Sequence, residues 1–199
     1  MCNVVFYGNI KIKEHVVMLI KALSNVEDSY LGRDMIFVQE DKDNVIKYAE
    51  RVFAYELYHQ FRCLMKNDCN YYLNGEIKKK YIKEIEKICY PDLVLHGNHD
   101  SIEKGTQYFL CEIKMASNSN LLEDLKKIAK LSESELYFQE YIFLCVGLSK
   151  EELEKKFVNC KIEDCNVETL CICRKNSVIE IFRLGEFVKT NNKEQFKYG

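Results

Sequence analysis

The chain has 199 residues, 47% apolar and 30% charged, with a formal net charge of −2 and a pI near 6.1. That length suits one domain with a full hydrophobic core, and the apolar share argues against disorder. No stretch approaches the ~18 uncharged apolar residues of a membrane span, and Met1 to Ile10 lacks the basic start and apolar run of a secretory signal, so neither a membrane protein nor a secreted one is expected.

In chain order, residues 1–42 read as a short strand (Asn3–Tyr7), a helix (about Lys13–Leu23) and a second strand (Met35–Gln39). Asp43–Lys66 reads as one long helix, Tyr71–Ile77 as a strand and Lys78–Cys89 as a charged, mixed segment. Alternation and β-branched or aromatic content predict strands at Asp92–His96 and Tyr108–Met115. Asn120–Ser132 is a helix with Leu121, Leu122, Leu125, Ile128 and Ala129 on one face. A buried strand, Tyr141–Leu148, precedes a helix, Lys150–Val158, with Ser149 as its N-cap. Strands Thr169–Arg174 and Val178–Arg183 form a hairpin around Lys175-Asn176-Ser177. The order helix, three strands, helix, strand predicts a mixed sheet flanked by helices.

Three polar intrusions into apolar patterns mark candidate chemistry. On the long helix, Val45, Ala49, Val52, Phe53, Cys63 and Leu64 form one stripe at ~100° per residue, with Glu56 and Gln60 in its middle. A carboxylate there needs a partner, a metal or a proton. In the strand after Pro91, Asp92, Val94 and His96 share a face. In Tyr108–Met115, Glu112 and Lys114 interrupt a run that is otherwise apolar on both faces. Asp92 and Glu112 on neighbouring strands could hold a hard divalent cation, with Glu56 supplying or supporting a further ligand. Lys114 beside them could orient water or stabilise charge on phosphorus.

Pro91-Asp92, nineteen intervening residues and Glu112-Ile113-Lys114 resemble the PD-(D/E)XK nuclease superfamily. The preceding helix with Glu56 and the helix after the Glu-x-Lys strand match that superfamily's core order. The resemblance implies an α/β, restriction-endonuclease-like fold, a mixed β-sheet core flanked by helices, with short N- and C-terminal additions. Residues 1–42 would be an extension packed on a nuclease-like domain at 43–199, whose motif core spans about 43–148. It further implies hydrolysis of phosphodiester bonds, most naturally by an endonuclease on DNA. Mg²⁺ or Mn²⁺ would sit on Asp92, Glu112 and Glu56, with Lys114 as the catalytic lysine. His96 and Gln60 would flank the site in support. The competing expectation is a catalytically idle nuclease-fold module that binds a protein or nucleic-acid partner, or a second copy of itself.

Ten scattered cysteines, among them Cys63, Cys89, Cys111, Cys145, Cys171 and Cys173 inside apolar runs, suggest free thiols in a cytoplasmic protein. Lys78, Lys79, Lys80, Lys83 and Lys87, with Lys126, Lys127 and Lys130 on the outer face of their helix, could contact phosphates. Residues 131–170 carry four basic against nine acidic side chains, so a polyanion is expected to avoid that surface.

Overall fold

The computed structural model describes residues 2–31, 42–65, 71–75, 91–97, 107–116, 121–133, 137–158, 165–166 and 168–185, without the side chains of 42–49. The expected strand at Met35–Gln39 and the charged segment Lys78–Cys89 lie outside these residues.

The described chain runs β1 (Asn3–Phe6), α1 (Glu14–Asn25), α2 (Lys42–Leu64), β2 (Tyr72–Gly75), β3 (Leu93–His96), β4 (Gln107–Met115), α3 (Leu121–Ser132), β5 (Glu140–Val146), α4 (Lys150–Val158), β6 (Leu170–Lys175) and β7 (Val178–Arg183). The seven strands form one mixed sheet in the order β1-β7-β6-β5-β4-β3-β2. β2, β3 and β4 are an antiparallel meander, and β4, β5 and β6 run parallel. β1 lies parallel to β7, so the N-terminal segment supplies an edge strand of the same sheet. The protein is thus α/β, and its described residues form a seven-stranded mixed sheet flanked by four helices.

Strand alternation divides the core in two. Leu93, Leu95, Phe109, Cys111, Ile113 and Met115 pack against α1 and α2, together with Phe53, Leu57 and Phe61. Val94, Leu110, Phe143, Cys145, Cys171 and Cys173 pack against α3 and α4. β5 is buried along its whole length because helices cover both faces, which explains its unbroken apolar run.

Local signals account for the ends of several elements. Ser149 and Glu152 form a capping box at α4, the hydroxyl facing the Glu152 N–H at 3.3 Å and the Glu152 carboxylate accepting the Ser149 N–H at 2.8 Å. Asn176, at φ 53°, makes the tight β6–β7 turn. Arg174, 1% exposed, donates to the carbonyls of Leu23 and Val26 at the end of α1 and to Asp28. A buried guanidinium thus satisfies carbonyls that a helix leaves open.

Candidate active site

Cys111, Ile113 and Met115 of β4 belong to the α1/α2 side of the core, so Glu112 and Lys114 between them turn toward α3. Glu112 is 1% exposed. Its Oε2 is 3.2 Å from the Lys127 ammonium, which is also 3.2 Å from Asp124 Oδ1. Asp124 Oδ2 lies 3.2 Å from the Lys114 ammonium, and Lys114 reaches Glu50 Oε1 of α2 at 3.1 Å. The contacts Glu112–Lys127–Asp124–Lys114–Glu50 tie α2, β4 and α3 together at the carboxyl end of β4.

The meander creates the opening in which these groups meet. β3 begins at Leu93, opposite Cys111, so β4 continues past its described neighbour on that side. Asp92 takes over there, its Oδ2 accepting the Ile113 N–H at 2.7 Å. A backbone donor that a strand would otherwise satisfy is thereby paired with a carboxylate.

Electrostatics couples the acids. Burial pushes the Asp92 carboxyl up to about 6, against the Ile113 hydrogen bond and with the help of the Glu50 charge. Burial first, and the Asp92 charge second, push Glu112 up to about 8, against the pull of Lys127. Asp92 accepts the N–H of Ile113, the residue that follows Glu112 on β4, so the two carboxyl groups lie near one another. Burial works against the Lys114 ammonium, but Glu50 and Asp124 outweigh it and hold its pKa above the usual lysine value.

Glu112 Oε1 and Glu50 Oε2 are buried and accept no hydrogen bond from any described residue. Such oxygens call for a proton or a cation. Glu50, Asp92, Glu112 and Asp124 offer only hard oxygen donors, the type Mg²⁺ or Mn²⁺ takes. Four carboxylates facing two ammonium groups also leave a surplus that one divalent cation would match. Among the described residues, no three His, Cys, Asp or Glu side chains surround a common point. Lys114 and Lys127 stand between them. The donor set fits the ion in kind, with two lysines interleaved.

Of the residues singled out from sequence, Asp92, Glu112 and Lys114 come together. Glu56 bonds Gln60 instead, its Oε1 accepting from Nε2 at 2.7 Å. It lies six residues beyond Glu50, about 9 Å along the helix and about 120° around it. His96 is buried at the other end of β3, its ring nitrogens against Asn74 and the Gly97 carbonyl. Four residues of strand, about 13 Å, separate it from Asp92.

Sequence reasoning missed Glu50, Asp124 and the inward role of Lys127. The buried stripe of α2 is Phe53, Leu57 and Phe61, while Cys63 is exposed. The stripe drawn through Val52 and Cys63 was therefore about 100° off. Extended one turn back from Phe53, the observed stripe lands on Glu50. Asp124 sits three residues after Leu121 and four before Ile128, inside the apolar face of α3. Lys127, read as outward-facing, follows Asp124 by three residues and turns in with it.

Four cysteines of the sheet, Cys111, Cys145, Cys171 and Cys173, offer no rival nucleophile. Burial pushes the Cys145 thiol up to about 12 and raises Cys111, Cys171 and Cys173 as well. A thiol so held stays protonated and inert. Among the described residues, no helix is long and apolar enough to cross a membrane. Comparison with protein-family models, curated proteins and solved structures finds no match to this chain.

Proposed function

We propose that the chain is a metal-dependent nuclease of the PD-(D/E)XK type, an endonuclease hydrolysing phosphodiester bonds of DNA. The observation that carries this reading is the convergence of Asp92, Glu112 and Lys114 at one end of β4, where the buried Glu112 Oε1 accepts no hydrogen bond from a described residue. The succession of α2, the β2–β3–β4 meander, α3 and a β5 parallel to β4 supports it, being the helix, three strands, helix, strand order expected of that fold. In this reading Glu50 takes the part first assigned to Glu56.

Asp92, Glu112 and Glu50 would hold Mg²⁺ or Mn²⁺. When bound, such an ion polarises a phosphate and lowers the pKa of its water. Lys114 supplies a fixed positive charge, held between Glu50 and Asp124, for the charge that develops on the phosphoryl oxygens. Asp124 acts through Lys114 and Lys127 and is a positioning residue. Asp92 sets the spacing of the two strands through Ile113.

The test is nicking of plasmid, single-stranded DNA and RNA with Mg²⁺ or Mn²⁺, against a chelator and against Glu112→Gln. Cleavage that needs the metal and is lost in Glu112→Gln supports the reading. Cleavage that survives either control belongs to another site or a contaminant and removes it. The internal pairing of Lys114 and Lys127 with the site's own acids favours the second reading, an idle binding module. A pure protein that cleaves nothing yet retains a partner would establish it.

A further inference from the structure

The two lysines interleaved with the acids of the candidate site are held in different ways. Lys114 lies on β4, its side chain 13% exposed, with Glu50 of α2 at 3.1 Å and Asp124 of α3 at 3.2 Å. It is gripped from two helices and largely shut off from water. Lys127 stands on α3 with its side chain 39% exposed, and it meets Glu112 Oε2 and Asp124 Oδ1 at 3.2 Å each. An ammonium on a flexible aliphatic stem near the surface is readily rehydrated. Of the two cations, Lys127 is the one with a way out.

Its departure would uncover Glu112. That carboxylate is 1% exposed, and among the described residues the Lys127 ammonium is its one side-chain partner. Lys127 occupies Oε2, while Oε1 accepts nothing from a described residue. A carboxylate at this depth is costly without a counter-charge, and Lys127 supplies one in the absence of metal. The pair is still a weak one for its depth, because its lysine half is solvated. A divalent cation brings twice the charge and takes several oxygens at once, so it has a use for Oε1 that one ammonium does not.

We infer that Lys127 is a displaceable plug, a counter-ion that fills the cation's place at Glu112 until Mg²⁺ or Mn²⁺ enters and sends the lysine into solvent. Lys114 stays between Glu50 and Asp124 throughout. The inference rests on the metal-dependent reading of this site, and it makes metal entry, rather than a preformed cage, the step that opens the site.

Mn²⁺ binding to the full chain is measured by isothermal titration calorimetry at one pH and one salt concentration. Lys127→Met removes the ammonium and keeps an unbranched side chain. Its Kd falls about fivefold below the wild-type value, because a site open only part of the time binds more weakly by that fraction. Lys127→Arg keeps the charge but grips carboxylates with a planar fork, so it is harder to displace and its Kd rises about threefold. Repulsion without displacement would leave the arginine variant equal to wild type. Lys130→Met, which removes an exposed lysine one turn further along α3, stays within about twofold of wild type. A methionine variant no tighter than wild type, an arginine variant equal to it, or a Lys130→Met change as large as that of Lys127→Met overturns the plug. In each case metal binding by the wild type that is lost in Glu112→Gln leaves the metal reading standing. No Mn²⁺ binding by wild type or by either Lys127 variant removes the metal reading and the plug with it. Binding by Lys127→Met alone would be the plug in its strongest form.

Discussion

The Lys114 ammonium lies 3.1 Å from a carboxylate oxygen of Glu50, a residue 64 positions earlier on a helix that covers the opposite face of the sheet. The contact is possible because β3 begins only at Leu93 and leaves the end of β4 without that neighbour. Glu50 therefore belongs to the same electrostatic unit as Asp92 and Glu112, and its charge helps raise the Asp92 carboxyl.

Glu50→Gln should abolish the rise in melting temperature that Mn²⁺ or Mg²⁺ gives the wild type and reduce cleavage, whereas Glu56→Gln should leave both near wild type. A cation that binds only the folded state stabilises it by mass action, about 2.7 kcal/mol at a hundredfold excess over Kd. Thermal melts with and without metal decide it. Equal shifts in the two variants would detach Glu50 from the metal.

How much of this was legible in the sequence depends on which residues fix which pattern. Glu112 and Lys114 were readable because a strand has a period of two, and two charges inside Phe109–Met115 have few harmless places to go. Asp92 was readable from its place at a strand start. Glu50 was not, because its stripe depends on an angular assignment that one residue shifts by about 100°. Asp124 and Lys127 were hidden in an ordinary helix face. Their role comes from a partner strand, and no local pattern encodes that. The pairing of β1 with β7, at opposite ends of the chain, was equally beyond local reading.

Without metal, Glu112 should cost the fold stability as pH rises. Its folded pKa, about 8, stands above its ordinary value of 4.5, so the folded state holds a proton that the unfolded chain releases. Stability is full below about pH 4.5 and falls progressively up to about pH 8, by on the order of a few kcal/mol. Asp92 acts the same way between 3.8 and about 6. His15, lowered to about 4 by burial and by Lys13, works oppositely and costs stability as pH falls from 6.5. The difference between wild type and Glu112→Gln isolates the first effect. Glu112→Gln should be the more stable protein at pH 8 in chelator, and the gap should shrink toward pH 5. A gap independent of pH would contradict the raised pKa.

Arg174→Met should destabilise the protein by about 2–4 kcal/mol, although methionine fills much of the same space. It leaves the Leu23 and Val26 carbonyls buried without their donor. Arg174→Lys should recover only part of the loss, because one ammonium cannot span the two carbonyls and Asp28 as a planar fork does. Urea midpoints at fixed pH measure both. A lysine variant as stable as wild type would show that charge alone, without geometry, holds the end of α1.

Lys114→Ala separates catalysis from binding. It retains Asp92, Glu112 and Glu50 as oxygen donors and deletes the cation between Glu50 and Asp124. In chelator the variant should melt lower than wild type, since two partly buried carboxylates lose their partner. With Mn²⁺ or Mg²⁺ its melting temperature should rise at least as much as that of the wild type, because the metal then meets less competing positive charge. Cleavage should nevertheless fall by about 10²–10³, the loss typical of removing one preorganised electrostatic donor, about 3–4 kcal/mol of transition-state stabilisation. Retained metal response with lost cleavage assigns Lys114 to the chemistry. Loss of both together would make Lys114 a structural clamp for Glu50, and wild-type cleavage by the variant would place the active site elsewhere.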